Sequence, residues 1–146
     1  MDQLDRDIIG ILQKDGRTSN AGMSRDLGVS EGTIRRRLKS LVDDEVIQIL
    51  AFVEPSKLGY PTEVIIAFQV DLGKIENVGA ALSTLPEVMS VSVTTGSFDM
   101  FVSVALPSHE NLHSFLTDKV GSIPGIKRSE TFVTMSVKKR VLLSLP

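Results

Sequence analysis

Apolar residues first recur along this chain at helical spacing. Leu4, Ile8, Ile11 and Leu12 fall on one helix face, which predicts a helix over residues 2–14, stopped by Asp15-Gly16. Ser19 or Asn20 can cap a second, short helix that ends at Leu27-Gly28. Ser30 caps a third, in which Ile34, Leu38 and Leu41 form the apolar stripe and Glu31 suits the positive N-terminal end. Residues 47–53 are rich in Ile, Val and Phe and read as a strand ending at Glu54-Pro55. Three helices followed by a strand or hairpin predict a winged helix-turn-helix over residues 1–53.

Pro55, Gly59 and Pro61 mark residues 54–62 as a linker. Beyond it the period changes. Residues 64–70 read as a strand, and Ile75, Val78, Leu82 and Leu85 mark a helix. Residues 88–95 alternate as a half-exposed strand, Gly96-Ser97 is a hairpin turn, and residues 98–106 form the next strand. Ser108 is expected to cap a helix with Leu112, Phe115, Leu116, Val120 and Ile123 inward. The last strand is expected within residues 126–139, with Thr131, Val133, Met135 and Val137 on one face.

The order strand, helix, strand, strand, helix, strand over residues 63–146 predicts a ferredoxin-like βαββαβ domain, and the chain as a whole is α+β. Its halves echo each other. Leu85-Pro86-Glu87-Val88 parallels Ile123-Pro124-Gly125-Ile126, and Val64, Val78 and Leu82 have counterparts at Val102, Leu116 and Val120. Helices on one face leave the other, with its apolar residues, in need of cover. Self-association is the simplest cover.

Composition narrows the chemistry. The chain has no cysteine, which excludes disulfides, thiolate zinc sites and thiol nucleophiles. No apolar run reaches transmembrane length, and the first residues are acidic, unlike a signal peptide. The expectation is a cytoplasmic protein working at the nucleoid, with no membrane partner, no cofactor, no metal and no enzymatic activity. The net charge of −2 offers no bulk attraction for nucleic acid, so any case for DNA rests on where the cations lie. Residues 1–60 hold nine Lys/Arg against ten Asp/Glu. Within that near-neutral half, Arg35, Arg36, Arg37 and Lys39 cluster on the third helix.

At about 100° per residue, an inward Ile34, Leu38 and Leu41 turn Gly32, Arg36 and Lys39 outward and place Arg35 and Arg37 on opposite flanks. Three consecutive arginines therefore cannot all read bases. Arg36 and Thr33, beside the cap Ser30, are expected at base edges of double-stranded DNA, with Arg35, Arg37 and Lys39 on phosphates. The alternative is a solvated charged face, with Arg37 paired to Asp43 or Asp44.

His109-Glu110-Asn111-Leu112-His113 matches the H-E-x-x-H pattern of zinc hydrolases. It falls at an expected helix start, Leu112 is needed for packing, and no later histidine can serve as a third ligand, which leaves Glu130 as a remote candidate. A polar helix start explains it more simply.

Taken in order, these segments resemble the leucine-responsive regulator/AsnC (Lrp/AsnC) family of feast-or-famine transcription regulators. The match runs from Leu4-Asp5-Arg6-Asp7-Ile8-Ile9 through Asp15-Gly16-Arg17-Thr18-Ser19 and Leu27-Gly28-Val29-Ser30 to Thr33-Ile34-Arg35-Arg36-Arg37-Leu38. It continues with Leu58-Gly59-Tyr60, Thr95-Gly96-Ser97-Phe98-Asp99, which is similar to a G-x-[YF]-D turn, and Ile123-Pro124-Gly125-Ile126. The resemblance implies a DNA reader joined to an effector-sensing (RAM-type) domain. It also implies dimers, higher assemblies such as octamers, and modulation by an amino acid or related small effector. Carried over by position, Gly96, Ser97, Phe98 and Asp99 would contact the effector, with Thr134 in the last strand as an addition. The other reading of this turn is a plain hairpin with Asp99 bonded to its own backbone. Three positions depart from the family pattern: Glu45 where glycine usually precedes the wing, Ser24 in place of alanine, and Phe98 in place of tyrosine. Competing readings of the chain are an effector-independent DNA-packaging protein of the same fold and a zinc hydrolase using residues 109–113.

Overall fold

The computed structural model describes residues 1–139, which form two compact units, Met1–Phe52 with Lys139, and Val53–Lys138. The first unit holds α1 (Gln3–Lys14), α2 (Asn20–Leu27) and α3 (Glu31–Asp43); α2 and α3 start from the expected caps Ser19 and Ser30, while Asp2, expected inside the first helix, caps it instead. Asp2 caps α1 in a reciprocal box with Asp5: the Asp5 N–H donates to Asp2 Oδ1 at 3.0 Å, and the Asp2 N–H to Asp5 Oδ2 at 2.8 Å. Ser19 Oγ accepts from the Gly22 N–H at 3.0 Å to start α2. Gly28, at φ 67, ends α2 in a left-handed turn that a residue with a side chain enters only at a cost. Ile8, Ile9, Met23, Ile34 and Leu41 are buried together where the helices meet.

Ser24, one of the departures from the family pattern, stabilises the α2–α3 turn. Its hydroxyl donates to the Val29 carbonyl at 2.6 Å, so the serine satisfies a backbone acceptor that alanine would leave to water.

Glu45 has a physical cost. After α3 the Val46 N–H reaches back to the Leu41 carbonyl at 2.9 Å and the Glu45 N–H to that of Val42 at 3.1 Å. This is a Schellman cap, and it puts Glu45 at φ 56. A left-handed conformation costs a residue with a Cβ about 1–2 kcal/mol, and the freedom glycine gains in the unfolded chain returns about 0.5–1 of that. Glu45→Gly is expected to stabilise this unit by about 0.5–1 kcal/mol, read as a higher urea midpoint at unchanged slope.

The strand expected at 47–53 is not paired in any ladder among the described residues. The Ile47 N–H bonds the Leu41 carbonyl, and Ile49, Leu50, Phe52 and Val53 are exposed. Strand propensity alone does not make a strand; it needs a partner strand in register.

The second unit holds β1 (Thr62–Val70), α4 (Ile75–Ser83), β2 (Val88–Val93), β3 (Met100–Leu106), α5 (Glu110–Ser114) and β4 (Ile126–Val133). The sheet order is β2-β3-β1-β4, antiparallel throughout, the ferredoxin-like arrangement. The former linker segment contains a short 3₁₀ turn, Pro55–Leu58. Val64, Ile66, Phe68 and Val70 of β1 alternate into the core beside Met100, Val102, Val104 and Leu106 of β3. All eight residues of the internal echo lie in this cluster or pack against it: Val64 and Val102, Val78 and Leu116, Leu82 and Val120, Leu85 and Ile123.

Two ends differ from expectation. Ser108 does not cap the helix backbone. Its hydroxyl donates to Asn111 Oδ1 at 2.8 Å, and His109, already helical, occupies the cap position without a side-chain bond. Beyond α5 the helix widens through Phe115–Lys119 and tightens over Val120–Ser122, which keeps Phe115 and Val120 buried. β4 stops at Val133, so the alternation expected through Met135 and Val137 is not realised; both are exposed. The reason lies in β1, which begins at Thr62: the Thr134 N–H bonds the Glu63 carbonyl at 2.9 Å, at the end of the available ladder. Among the described residues no helix is long and apolar enough to cross a membrane.

Candidate DNA-reading helix and effector turn

The first turn of α3 is fixed by its own side chains. Ser30 Oγ accepts from the Thr33 N–H at 3.2 Å, and the two hydroxyls lie 2.9 Å apart. Thr33 is thus held at the helix start, where the backbone comes nearest to a groove. The cations that follow differ sharply in their surroundings. Arg35 pairs with Glu31 at 2.9 Å, and Lys39 pairs with Asp43, both one helical turn apart and exposed. Exposed pairs of this kind are worth about 0.2–1 kcal/mol, so a phosphate can replace the acid. Arg37 is half-buried. Its guanidinium lies 2.9 Å from Asp2 and 3.3 Å from Asp5.

That placement corrects the alternative pairing expected for Arg37: its acids are Asp2 and Asp5, not Asp43 or Asp44. Arg37 ties α3 to the capping box of α1, where the Asp5 side chain is nearly buried and needs a countercharge. The hint in the sequence was Asp2-x-x-Asp5, two acids heading a helix. Arg36 is exposed and has no hydrogen bond or ion pair among the described residues.

The tie has a pH signature. The hydrogen bond from the Asp5 N–H, then the charge of Arg37, hold the Asp2 carboxyl below its ordinary range. A carboxyl with a depressed native pKa contributes stability above its unfolded pKa and loses it as pH falls through the native value. The helical unit is therefore expected to lose stability below about pH 4, and Asp2→Asn to flatten that loss, both read from melting temperature against pH.

In the second unit, residues 94–99 join β2 to β3. Gly96 takes φ 119, and the loop closes with the Thr94 N–H on the Asp99 carbonyl at 2.8 Å and the Thr94 hydroxyl on the Phe98 carbonyl at 2.9 Å. Asp99 does not bond its own turn through its side chain. Its Oδ2 accepts from the Val70 N–H at 2.8 Å, and its N–H donates to the Phe68 carbonyl at 2.8 Å, so it locks the turn to the end of β1. Gln69 Nε2 adds a bond to the Ser97 carbonyl at 2.9 Å, a contact the sequence did not suggest. Gly96 and Ser97 are exposed, and the N–H groups of Gly96, Ser97 and Phe98 donate to nothing among the described residues. Three free N–H groups on one tight turn suit an anion such as a carboxylate, and Asp99 Oδ1 remains open to a cation. Phe98 packs edge-on against Phe101, ring centres 6.0 Å apart.

Thr134 is not brought to this turn within the chain. It is bonded to Glu63 at the start of β1, whereas Asp99 is bonded at the end of that strand, roughly 20 Å away at the rise of a strand. His109, Glu110 and His113 are all exposed, and the described residues contain no group of three or more His, Asp or Glu that could hold a metal ion.

Comparison with known proteins bears on both units. Residues 1–48 match a family model described as winged helix-turn-helix DNA-binding, and residues 63–142 match one described as Lrp/AsnC ligand binding domain. An uncharacterised HTH-type transcriptional regulator of Pyrococcus furiosus is 40% identical over 95% of both chains. The HTH-type transcriptional regulator FL11 of Pyrococcus abyssi is 39% identical over 95% of this chain and 92% of its own. Among solved structures, AsnC of E. coli superposes with a TM-score of 0.90 at 28% identity, covering 98% of this chain and 97% of that one. A transcriptional regulator of Neisseria meningitidis in complex with L-Met gives a TM-score of 0.90 at 25% identity, covering 100% of this chain and 96% of that one. A capped cationic helix on a three-helix unit, a four-stranded effector-type domain and full-length similarity to these regulators agree: the chain belongs to the Lrp/AsnC family of helix-turn-helix transcriptional regulators.

Proposed function

We propose that this regulator reads a specific DNA sequence with Arg36 at its centre, and that an amino acid bound at the 96–99 turn adjusts its DNA affinity or assembly. The observation that carries the reading is the division of the α3 cations. Arg35, Arg37 and Lys39 are each answered by an acid, and Arg36 is exposed without one among the described residues. An unpaired guanidinium on the outward face suits bidentate contact with a guanine edge in the major groove. Thr33 and Ser30 stand beside it at the helix start. Arg35 and Lys39 exchange their acids for phosphates. Arg37 orients the helix.

In this reading residues 1–53 are the DNA reader and residues 63–146 the effector domain. The free N–H groups at the turn take the ligand carboxylate, Asp99 Oδ1 takes its ammonium, and Thr134 contributes only from a second copy. The L-Met complex of the Neisseria relative supports the ligand class. Assembly rests on the sheet face away from the helices. There Ile65 and Phe132 lie opposite each other in register and are 40% and 46% exposed, with Phe101 of β3 at 38%. A second copy covers that face, and paired copies set two reading helices on one duplex. The protein then works in the cytoplasm, on the chromosome.

Fluorescence anisotropy on promoter and random duplexes over a salt series, with and without each amino acid, tests the proposal. Selective binding that an amino acid shifts is the expected result. Binding blind to both sequence and amino acids would favour a packaging role. Lys39→Ala is expected to weaken binding to both duplexes alike and to reduce the salt slope by about one.

A further inference from the structure

A cavity of about 340 Å³ opens in the second unit beside the end of β3. It lies far from the 96–99 turn, because Asp99 and Leu106 are separated by the whole of β3, roughly 23 Å at the rise of an extended chain. The volume falls in the lower part of the range of small-molecule sites, about 300–1,000 Å³. Buried Leu106 and Phe115 give it an apolar floor. The helix after β3 widens to a π-type turn at Phe115–Lys119, and that turn brings Asp118 and Lys119 to the same opening. Such turns occur frequently at functional sites.

The polar groups around the opening differ in their access to water. Asn111 Oδ1 accepts from the Ser108 hydroxyl, which leaves its amide N–H groups, and Asn111 is exposed. The Lys119 ammonium pairs with Glu87 and keeps two further N–H donors on a side chain that is 40% exposed. Water can serve the spare donors of both residues. Glu87 is different. Its side chain is 19% exposed, and its Oε2 is buried with no hydrogen-bond partner among the described residues. Burial alone would raise the Glu87 carboxyl, but the hydrogen bond from Lys119, with the backbone bond and the Lys119 charge, holds it below its ordinary range, so it stays charged. A charged acceptor that water does not reach is costly to leave without a donor. Asp118 accepts from the Thr117 hydroxyl on Oδ1, and its Oδ2 is a second open acceptor. The cavity is thus lined by two carboxylates against one ammonium. What it lacks is one positive charge bearing N–H donors. A ligand carboxylate would set like charge against Glu87 Oε2.

We propose that this cavity binds a primary aliphatic amine, a monocation with no carboxylate and so of a different class from the ligand assigned to the 96–99 turn. Its ammonium donates to Glu87 Oε2, which a small rotation of the carboxyl about its broad terminal torsion turns toward the opening. A second N–H faces Asp118 Oδ2, and the alkyl chain lies on Leu106 and Phe115. Two carboxylates then face two ammoniums, and the charge at the cavity balances.

The test uses the full chain with n-butylamine and isopentylamine as probes, and pentanoate and 1,4-diaminobutane as controls. Calorimetry gives affinity, and hydrogen exchange read by mass spectrometry locates it. The expected result is saturable binding of both monoamines with new protection in the 108–119 segment. Pentanoate should give no such protection. The diamine should bind more weakly, because its second charge would rest on the apolar floor. Glu87→Gln keeps the side-chain size and an acceptor for Lys119 but loses the charge, and should weaken monoamine binding at least tenfold. Ser114→Trp, which fills the opening from an exposed helix position, should do the same. Should Glu87→Gln fail to fold, judged by circular dichroism, Ser114→Trp decides alone. No saturable monoamine binding, protection confined to residues 94–99, equal protection of 108–119 by pentanoate, or affinity unchanged in a folded variant would each overturn the proposal. DNA binding and amino-acid binding by the wild-type chain are scored separately, so a failure here does not count against the reading of α3 or of the turn.

Discussion

Arg36→Ala is expected to lower affinity for a specific site about 10- to 100-fold while changing affinity for random DNA several-fold at most. The size follows from a bidentate arginine–guanine contact, worth about 1–3 kcal/mol against the wrong base. The selectivity follows from its surroundings. Arg36 is the α3 cation that no acid among the described residues neutralises, and it lies on the opposite side of the helix from buried Ile34. Its removal exposes no cavity and breaks no ion pair among the described residues, so the melting temperature should hold. Anisotropy on matched and scrambled duplexes at one salt concentration reads the effect. Equal losses on both duplexes would reduce Arg36 to one more phosphate contact. Arg37→Ala should behave in the reverse manner. It leaves nearly buried Asp5 without its countercharge, so stability falls first and DNA binding follows.

Ile34→Ala is expected to unfold the reader. Ile34 is completely buried where α3 meets the other two helices, and deleting such a side chain costs about 2–5 kcal/mol. A unit of some fifty residues buries a smaller share of its surface than a larger domain does, and its whole stability is of that order. Affinity for specific and random DNA should therefore collapse together, with loss of helical circular dichroism and rapid proteolysis within residues 1–52. Residues 53–138 have their own core, from Val64 to Val120, and should stay protected. Wild-type helicity in Ile34→Ala would mean that α3 is held by something other than its apolar stripe. Side by side, the two variants separate a residue that reads from a residue that supports.

Much of this was legible along the chain, and the legible parts share a cause. Asp2, Ser19, Ser30 and Gly28 act on backbone groups within a few residues, so the start and end of each helix are written locally. The order of strands followed from alternation, and the internal echo from Val64, Val78 and Leu82 to Val102, Leu116 and Val120 reported one core read twice. Glu45 stood out as a departure, and its left-handed φ supplies the reason glycine is favoured there. The 96–99 turn was legible as a turn. Its lock onto β1 through Asp99 and Gln69 was not, because those partners lie 28 and 29 residues away.

Sequence by itself determined the three helices of the first unit, the strand–helix order of the second, the caps Ser19 and Ser30, most apolar faces and the outward position of Arg36, because each depends on the period of a helix or strand and on bonds spanning three or four residues. Tertiary structure decided the rest. It gave Arg37 to Asp2 and Asp5, separated Thr134 from the 96–99 turn, ended β4 where β1 begins, and brought Glu87 to Lys119 over a cavity. Each of these outcomes depends on which distant segment arrives as a neighbour. Pattern along a chain fixes the face a side chain presents, and only the packed fold fixes what that face meets.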